Sequence, residues 1–232
     1  MERPHVKKEM EILYEDQHLL AVLKPAGVLV VPSQAVASET LLERAKAHVG
    51  ERVWALHRLD RDTSGIVVFG KTPLACKAFH RQFEARTMMK TYEAIVQGKI
   101  SQPRGAITLS IGKKRWGKAG IQRGGQQART EYQVREYCGP VTWVTLYPRT
   151  GRIHQIRVHL AAIGHPLAYD PIYHKNSPWK WLKQVPLFAC SMTFDHPATG
   201  RRQTITAPLP QAFEEALRRF RKMSRGGRFV QI

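Results

Sequence analysis

VWALHRLDRDTSGIVVF, residues 53–69, sets two β-rich apolar runs, Val53–Leu56 and Ile66–Phe69, on either side of a dense polar segment. Charged residues at a strand-to-loop junction are where a rigid scaffold presents functional groups. By composition alone the segment also reads as an ordinary solvated connection, because Asp, Ser and Gly are common turn formers. Against that stand His57, Arg58, Asp60, Arg61 and Asp62, a density of charge unusual for a turn, with guanidiniums flanking carboxylates. Ser64 near His57 hints at a nucleophile and its base, but no GxSxG elbow surrounds it.

Outward from this segment the chain alternates short strands and helices. Towards the N-terminus, Leu19–Leu23 and Val28–Val31 are separated by Lys24-Pro25-Ala26-Gly27, a tight-turn sequence that predicts a hairpin. Thr40–Val49 has the spacing of a short amphipathic helix ended by Gly50. Beyond the polar segment come a helix at Ala75–Glu84 and a strand at Lys90–Val96. GKKRWGKAGIQRGGQQAR, residues 112–129, lacks acids, scatters glycine and reads as a polar loop. Strands follow at Thr130–Tyr137 and Thr142–Tyr147, then a helix at His154–Ile163 closed by His165-Pro166, then strands at Leu187–Phe194 and Gln203–Thr206. Pro210–Met223 is a basic amphipathic helix, with Ala212, Phe213, Ala216, Leu217 and Phe220 opposite Arg218, Arg219, Arg221 and Lys222. This pattern predicts an α+β fold around a mixed, largely antiparallel sheet flanked by helices and loops.

The chain has 232 residues, and its 37 Lys and Arg against 18 Asp and Glu give a net charge of +19. That imbalance excludes an ordinary metabolic enzyme surface and points to a polyphosphate partner, DNA or RNA before an anionic membrane. With 43% hydrophobic and 24% charged residues the composition is globular, and the length suits one domain. No run approaches the ~18 to 20 apolar residues of a membrane helix, and Met1–Met10 lacks the apolar core of a signal peptide, so no membrane association and a cytoplasmic location are expected. Cys76, Cys138 and Cys190 are odd in number and far apart, which supports neither a disulfide framework nor a metal knuckle. His154, His159 and His165 invite a zinc reading, but the spacing from 154 to 159 does not put two ligands on one helical face. Gly151 ahead of a helix, with Arg152 and Arg157 nearby, could form an anion cradle.

Four ordered blocks carry a resemblance. HRLDRDTSG (57–65) resembles the signature of the RluA group of RNA pseudouridine synthases. LKPAGVLVVP (23–32), KTYEAIVQG (90–98) and TGRIHQIRVHLAAIGHPLAYDPIY (150–173) are similar to that family's N-terminal, tyrosine and arginine blocks. MTFDHPATG (192–200) and TAPLP (206–210) also resemble family segments, so the likeness runs from about Ile12 to Pro210. Leu23, Tyr147, Tyr169 and Phe188 depart from the family's usual residues, at positions that bear on substrate preference rather than chemistry.

The resemblance implies a basic arm at 1–10, a catalytic domain at 11–210, a basic C-terminal helix and tail at 211–232, and no separate N-terminal RNA-binding module. It implies isomerisation of uridine to pseudouridine in rRNA or tRNA: the N-glycosidic bond breaks, the uracil turns and its C5 joins the ribose C1′. Asp60 would be the essential carboxylate, acting as nucleophile at C1′, as base at C2′ or as electrostatic partner of an oxocarbenium-like centre. Arg157 would pair with it and fix its orientation, Tyr92 would stack on the uracil with its hydroxyl near C5, and Ile156 would floor the pocket. Since a stacked nucleotide shields C1′, the base must flip out, and Arg58 would occupy the vacated space. Lys113, Lys114 and Arg115 are candidate RNA-backbone contacts, worth affinity more than sequence choice. No metal, nucleotide or redox cofactor is expected, and the protein is expected to be a monomer. Two rivals keep the basic surface but change the outcome: a glycosylase would release free uracil, and an idle RNA-binding or ribosome-assembly protein would release nothing.

Overall fold

Period-two alternation within LLAVLK and SGIVVFG sends side chains to both faces of one sheet. A computed structural model describes residues 10–33, 39–114 and 118–225. The first half of the sheet contains β1 (Ile12–Glu15), β2 (Leu19–Lys24), β3 (Trp54–Ala55), β4 (Ser64–Gly70), β5 (Met89–Gln97) and β6 (Arg104–Thr108). A small hairpin, β7 (Ile111–Lys113) and β8 (Ala119–Ile121), stands apart, and β9 (Arg129–Cys138), β10 (Val141–Pro148), β11 (Leu187–Asp195) and β12 (Arg202–Thr206) complete the strands. The spatial order is β1-β2-β4-β11-β5-β10-β9-β6, with β12 on β11 and β3 on β4. Its pairings are antiparallel except β4 with β11, as expected of a mixed, largely antiparallel sheet.

Both faces are covered. On one, Leu20, Val22, Val67 and Phe69 pack with Leu41 and Ala45 of α1 (Leu41–Val49) and Ile156 and Leu160 of α3 (Gln155–Ala162). On the other, Leu19, Ala21, Ile66 and Val68 pack with Ala75 and Phe79 of α2 (Pro73–Ala85) and Phe213, Leu217 and Phe220 of α4 (Gln211–Arg225). α1 begins in a capping box, Thr40 accepting from the Glu43 amide while Glu43 accepts from the Thr40 amide, and stops at left-handed Gly50. Gly65, at φ 128°, lets β4 meet β11, because a Cβ there would fall 2.4 Å from the Ala189 carbonyl oxygen.

Three local expectations change. Val28–Val31 does not pair with β2: the carbonyls of Leu29 and Val30 accept from Leu41 and Leu42, so that backbone serves the start of α1, and β2 makes its hairpin with β1 instead. Residues 112–129 are not all loop, for the β7–β8 hairpin rests Ile111 and Ala119 on Val158 of α3. Ala212 is exposed, so the apolar face of α4 starts at Phe213. Arg115 and the segments 1–9 and 226–232, read above as part of the basic loop, arm and tail, lie outside the described residues. No helix among the described residues is long and apolar enough to cross a membrane.

Candidate active site

The polar segment between β3 and β4 turns at Asp60, whose carbonyl accepts from the Thr63 amide at 3.1 Å. Lys24, at the end of β2, braces it from beneath. Its ammonium is wholly buried and donates to the carbonyls of Pro25 (2.9 Å), Val28 (2.7 Å) and Arg61 (2.9 Å). Gly27 and Arg61 add a reciprocal pair, amide to carbonyl at 2.8 Å and Arg61 Nε to the Gly27 carbonyl at 3.1 Å. Burial brings the Lys24 amine down to about 8, against the pull of Asp62 and Asp60. The KPAG turn is therefore a strut under the Asp60 loop rather than the tip of a hairpin.

The Asp60 side chain is 28% exposed and opens into a cavity of about 190 Å³. Tyr92 from β5 and Ile156 from α3 line it, with Leu59, Leu187 and Arg157. Tyr92 is 9% exposed, and its hydroxyl has no hydrogen-bond partner among the described residues. Burial, then the Asp60 charge, pushes the phenol above its ordinary value, keeping it protonated.

Arg157 is divided between two carboxylates. Its Nε and Nη2 each donate to Asp170 at 2.8 Å in a fork, and Nη1 lies 3.6 Å from Asp60 Oδ2. The expected pair with Asp60 is thus its looser contact, and Asp170 is the anchor. Asp170 is fully buried and also accepts from the amides of Ile172 (2.9 Å) and Tyr173 (3.0 Å). Although burial acts against its charge, the Arg157 fork and these amides hold the carboxyl below its ordinary range. Asp170 went unremarked as a site residue in the sequence, where no local pattern marks it; only its place in the block 150–173 could have drawn attention.

His154 adds a further group. It sits left-handed at φ 55° just before α3, with Nε2 3.9 Å from Asp60 Oδ2 and Nδ1 2.8 Å from the Tyr173 hydroxyl. Burial lowers its pKa despite Asp60. The other two histidines of the zinc reading point elsewhere: His159 is buried between Thr130 and the Leu109 carbonyl, and His165 meets the Gln97 carbonyl. No cluster of three or more His, Cys, Asp or Glu suited to a metal occurs among the described residues.

Arg58 is exposed at the rim of the cavity, while Lys113 and Lys114 are exposed at the β7–β8 hairpin. That hairpin reaches the site through Tyr173, whose hydroxyl exchanges hydrogen bonds with Ala119 backbone. Of the basic residues on α4, Arg221 is committed to a fork on Glu136, and Arg219 lies 4.1 Å over the Trp181 ring.

His57 has no role as a base for Ser64. Its Nε2 accepts from the Val68 amide at 3.0 Å, and burial, followed by the Lys90 charge, brings it down to about 3. Between about pH 3 and the ordinary value of 6.5 the unfolded chain binds a proton there that the folded chain does not. Stability therefore rises with pH across that window by up to about 1.4 kcal/mol per pH unit. His57→Asn keeps an acceptor for Val68 and should gain on the wild type as the pH falls in urea titrations; parallel pH profiles would contradict a neutral, half-buried ring.

The sequence matches the family model described as RNA pseudouridylate synthase over residues 18–162. It is 37% identical to the uncharacterized RNA pseudouridine synthase YhcT of Bacillus subtilis, over 91% of this chain and 72% of that one. It is also 37% identical to the ribosomal large subunit pseudouridine synthase D of Pseudomonas aeruginosa, over 88% and 70%. The dual-specificity RNA pseudouridine synthase RluA of Vibrio cholerae is 32% identical, over 91% and 89%. Among solved structures, human RNA pseudouridylate synthase domain containing 4 superposes with a TM-score of 0.73 at 25% identity, covering 91% of this chain and 93% of that one. A family match across more than half of the chain, relatives above 30% identity and a shared fold lead to one conclusion: the chain belongs to the RluA family of RNA pseudouridine synthases, isomerases that convert uridine in RNA to pseudouridine.

Proposed function

We propose that Asp60 performs the glycosidic chemistry on a flipped uridine, with Tyr92 against the uracil, Ile156 beneath it, Arg157 orienting the carboxylate and Arg58 filling the vacated stack. The observation that carries this is the single cavity in which one partly exposed carboxylate faces a buried tyrosine and an apolar floor, with a buried arginine alongside. A flat aromatic wall suits a planar base, and the Tyr92 hydroxyl, near C5 and held protonated by burial, can take the departing C5 proton only as it passes its own on. The fork on Asp170 keeps Arg157 rigid, so Nη1 reaches Asp60 without having to be ordered when RNA binds.

The substrate in this reading is structured RNA, with large-subunit rRNA the first to test because relatives are named for it, and tRNA the second. Lys113, Lys114 and Arg58 contribute contacts to the RNA backbone or the displaced stack. Every side chain of the site comes from one chain, which favours action as a monomer. The test is tritium release from [5-³H]uridine-labelled large-subunit rRNA and tRNA transcripts. Release without free uracil and without chain cleavage is the expected outcome. Free uracil would instead identify a glycosylase, and no release from either RNA would defeat the reading.

A further inference from the structure

Lys90 is two residues from Tyr92 on β5, so both side chains leave the same face of the strand and line the same cavity. Its Nζ lies 5.4 Å from the centre of the Phe83 ring and 3.7 Å from where a side chain on Gly151 would begin. Lys90 is half-buried; this partial burial lowers its pKa, and no hydrogen bond or carboxylate partner is found for it among the described residues. Its buried neighbours are treated differently: Lys24 has three carbonyls, and Arg157 has Asp170. A partly desolvated cation with no anionic partner is a place where a ligand that brings negative charge gains a favourable contact.

The surroundings indicate which anion. Outside the Asp60 cavity runs an open groove of about 460 Å³, and Lys90, Arg58 and Tyr92 line both. Arg86 and Arg152 also border the groove, whose one carboxylate, Glu84, faces His80 at 3.4 Å. Arg149 is held by Glu131, but Arg58 and Arg86 have no ion-pair partner among the described residues. Gly151, bare of a side chain, leaves the approach to the Lys90 amine open. If the inner cavity takes a uridine, its own backbone phosphates must pass one sugar away, through this groove.

We propose that Lys90, flanked by Arg58 and Arg152, forms a phosphate subsite that grips a backbone phosphodiester beside the flipped uridine. Lys90 is then a positioning residue: it holds the strand so that C1′ meets Asp60. The assignment rests on reading the Asp60–Tyr92 cavity as the uridine pocket. Phe83 and Gly151 belong to it as the wall and the doorway of the amine.

The experiment compares Lys90→Met and Lys90→Arg with the wild type on [5-³H]uridine-labelled large-subunit rRNA and tRNA transcripts. It also measures RNA binding against KCl concentration in an Asp60→Asn background. Lys90→Met covers the same apolar stem without the charge, so its melting temperature should equal or exceed the wild type's. Its KM should rise about 10- to 100-fold, the worth of one charge-assisted hydrogen bond, with the loss falling on KM more than on kcat. The slope of log Kd against log salt should become shallower by about 0.7 to 0.9, one phosphate contact. Lys90→Arg should restore most of the affinity. A lower melting temperature in Lys90→Met with unchanged salt slope would make the residue structural and overturn the subsite. A shallower slope with no tritium release by the wild type would keep the phosphate subsite while removing the uridine reading. Release by the wild type with unchanged KM and slope in Lys90→Met would do the reverse.

Discussion

Asp60→Asn abolishes isomerisation: tritium release falls by about 10⁴-fold or more, the scale on which enzymes lose activity when an essential group is removed. The substitution is nearly isosteric, so what disappears is charge and nucleophilicity rather than shape. Folding tolerates it, because Asp60 is 28% exposed and Arg157 retains its fork on Asp170. A loosely held, partly solvated contact of this kind is worth at most about 1 kcal/mol, so the melting temperature should barely move. That combination, an intact fold with no turnover, separates a chemical role from a structural one. Turnover within tenfold of the wild type would end the proposed role of Asp60, and collapse of the fold would make it a structural carboxylate.

Arg157→Met has the largest effect on stability. It leaves Asp170 buried with two amide donors but no counter-charge, and breaking a buried pair from one side costs about 3–5 kcal/mol. Burial opposes the Asp170 charge, yet its pKa is held below the ordinary carboxylate range by the Arg157 fork and the amides. The pair's contribution is therefore complete above that range and is lost only as the pH falls through the lowered value. Asp170→Asn in the Arg157→Met background should recover part of the stability by removing the stranded charge. Turnover follows orientation rather than stability: with folding verified by near-UV circular dichroism at low temperature, Arg157→Met should still be about 10²-fold slower. The double variant, though more stable, should stay slow. Undiminished turnover in Arg157→Met would remove its role at Asp60, and unchanged stability would contradict the buried fork.

Local elements were legible where local chemistry decides them. The capping box and terminal glycine of α1 need only neighbours within one turn, and the helix follows the pattern at Thr40–Val49 closely. The runs around the HRLDRDTSG segment became β3 and β4 for the same reason, since strand propensity and turn formers act over a few residues. Val28–Val31 failed the same test. It has a strand's composition, but its carbonyls are claimed by Leu41 and Leu42, a choice settled by chain folding rather than propensity. The β7–β8 hairpin was hidden by glycine and charge, and it forms because α3 offers Val158 as a floor.

At the site, the sequence by itself determined the fold class, the blocks that carry the chemistry and the excess of positive charge. A strand-flanked HRLD segment, a KTY strand and an HQIR helix are written in consecutive residues. Tertiary structure decided which charges are spoken for. Arg157 is fixed by Asp170, Arg221 by Glu136 and Arg149 by Glu131, whereas Lys90 lies half-buried beside Tyr92 with no carboxylate partner among the described residues. The net charge of +19 counts these cations alike. The physical reason they differ is that pairing and desolvation depend on distances of a few ångströms between residues far apart in the chain, and only the packed sheet sets those distances.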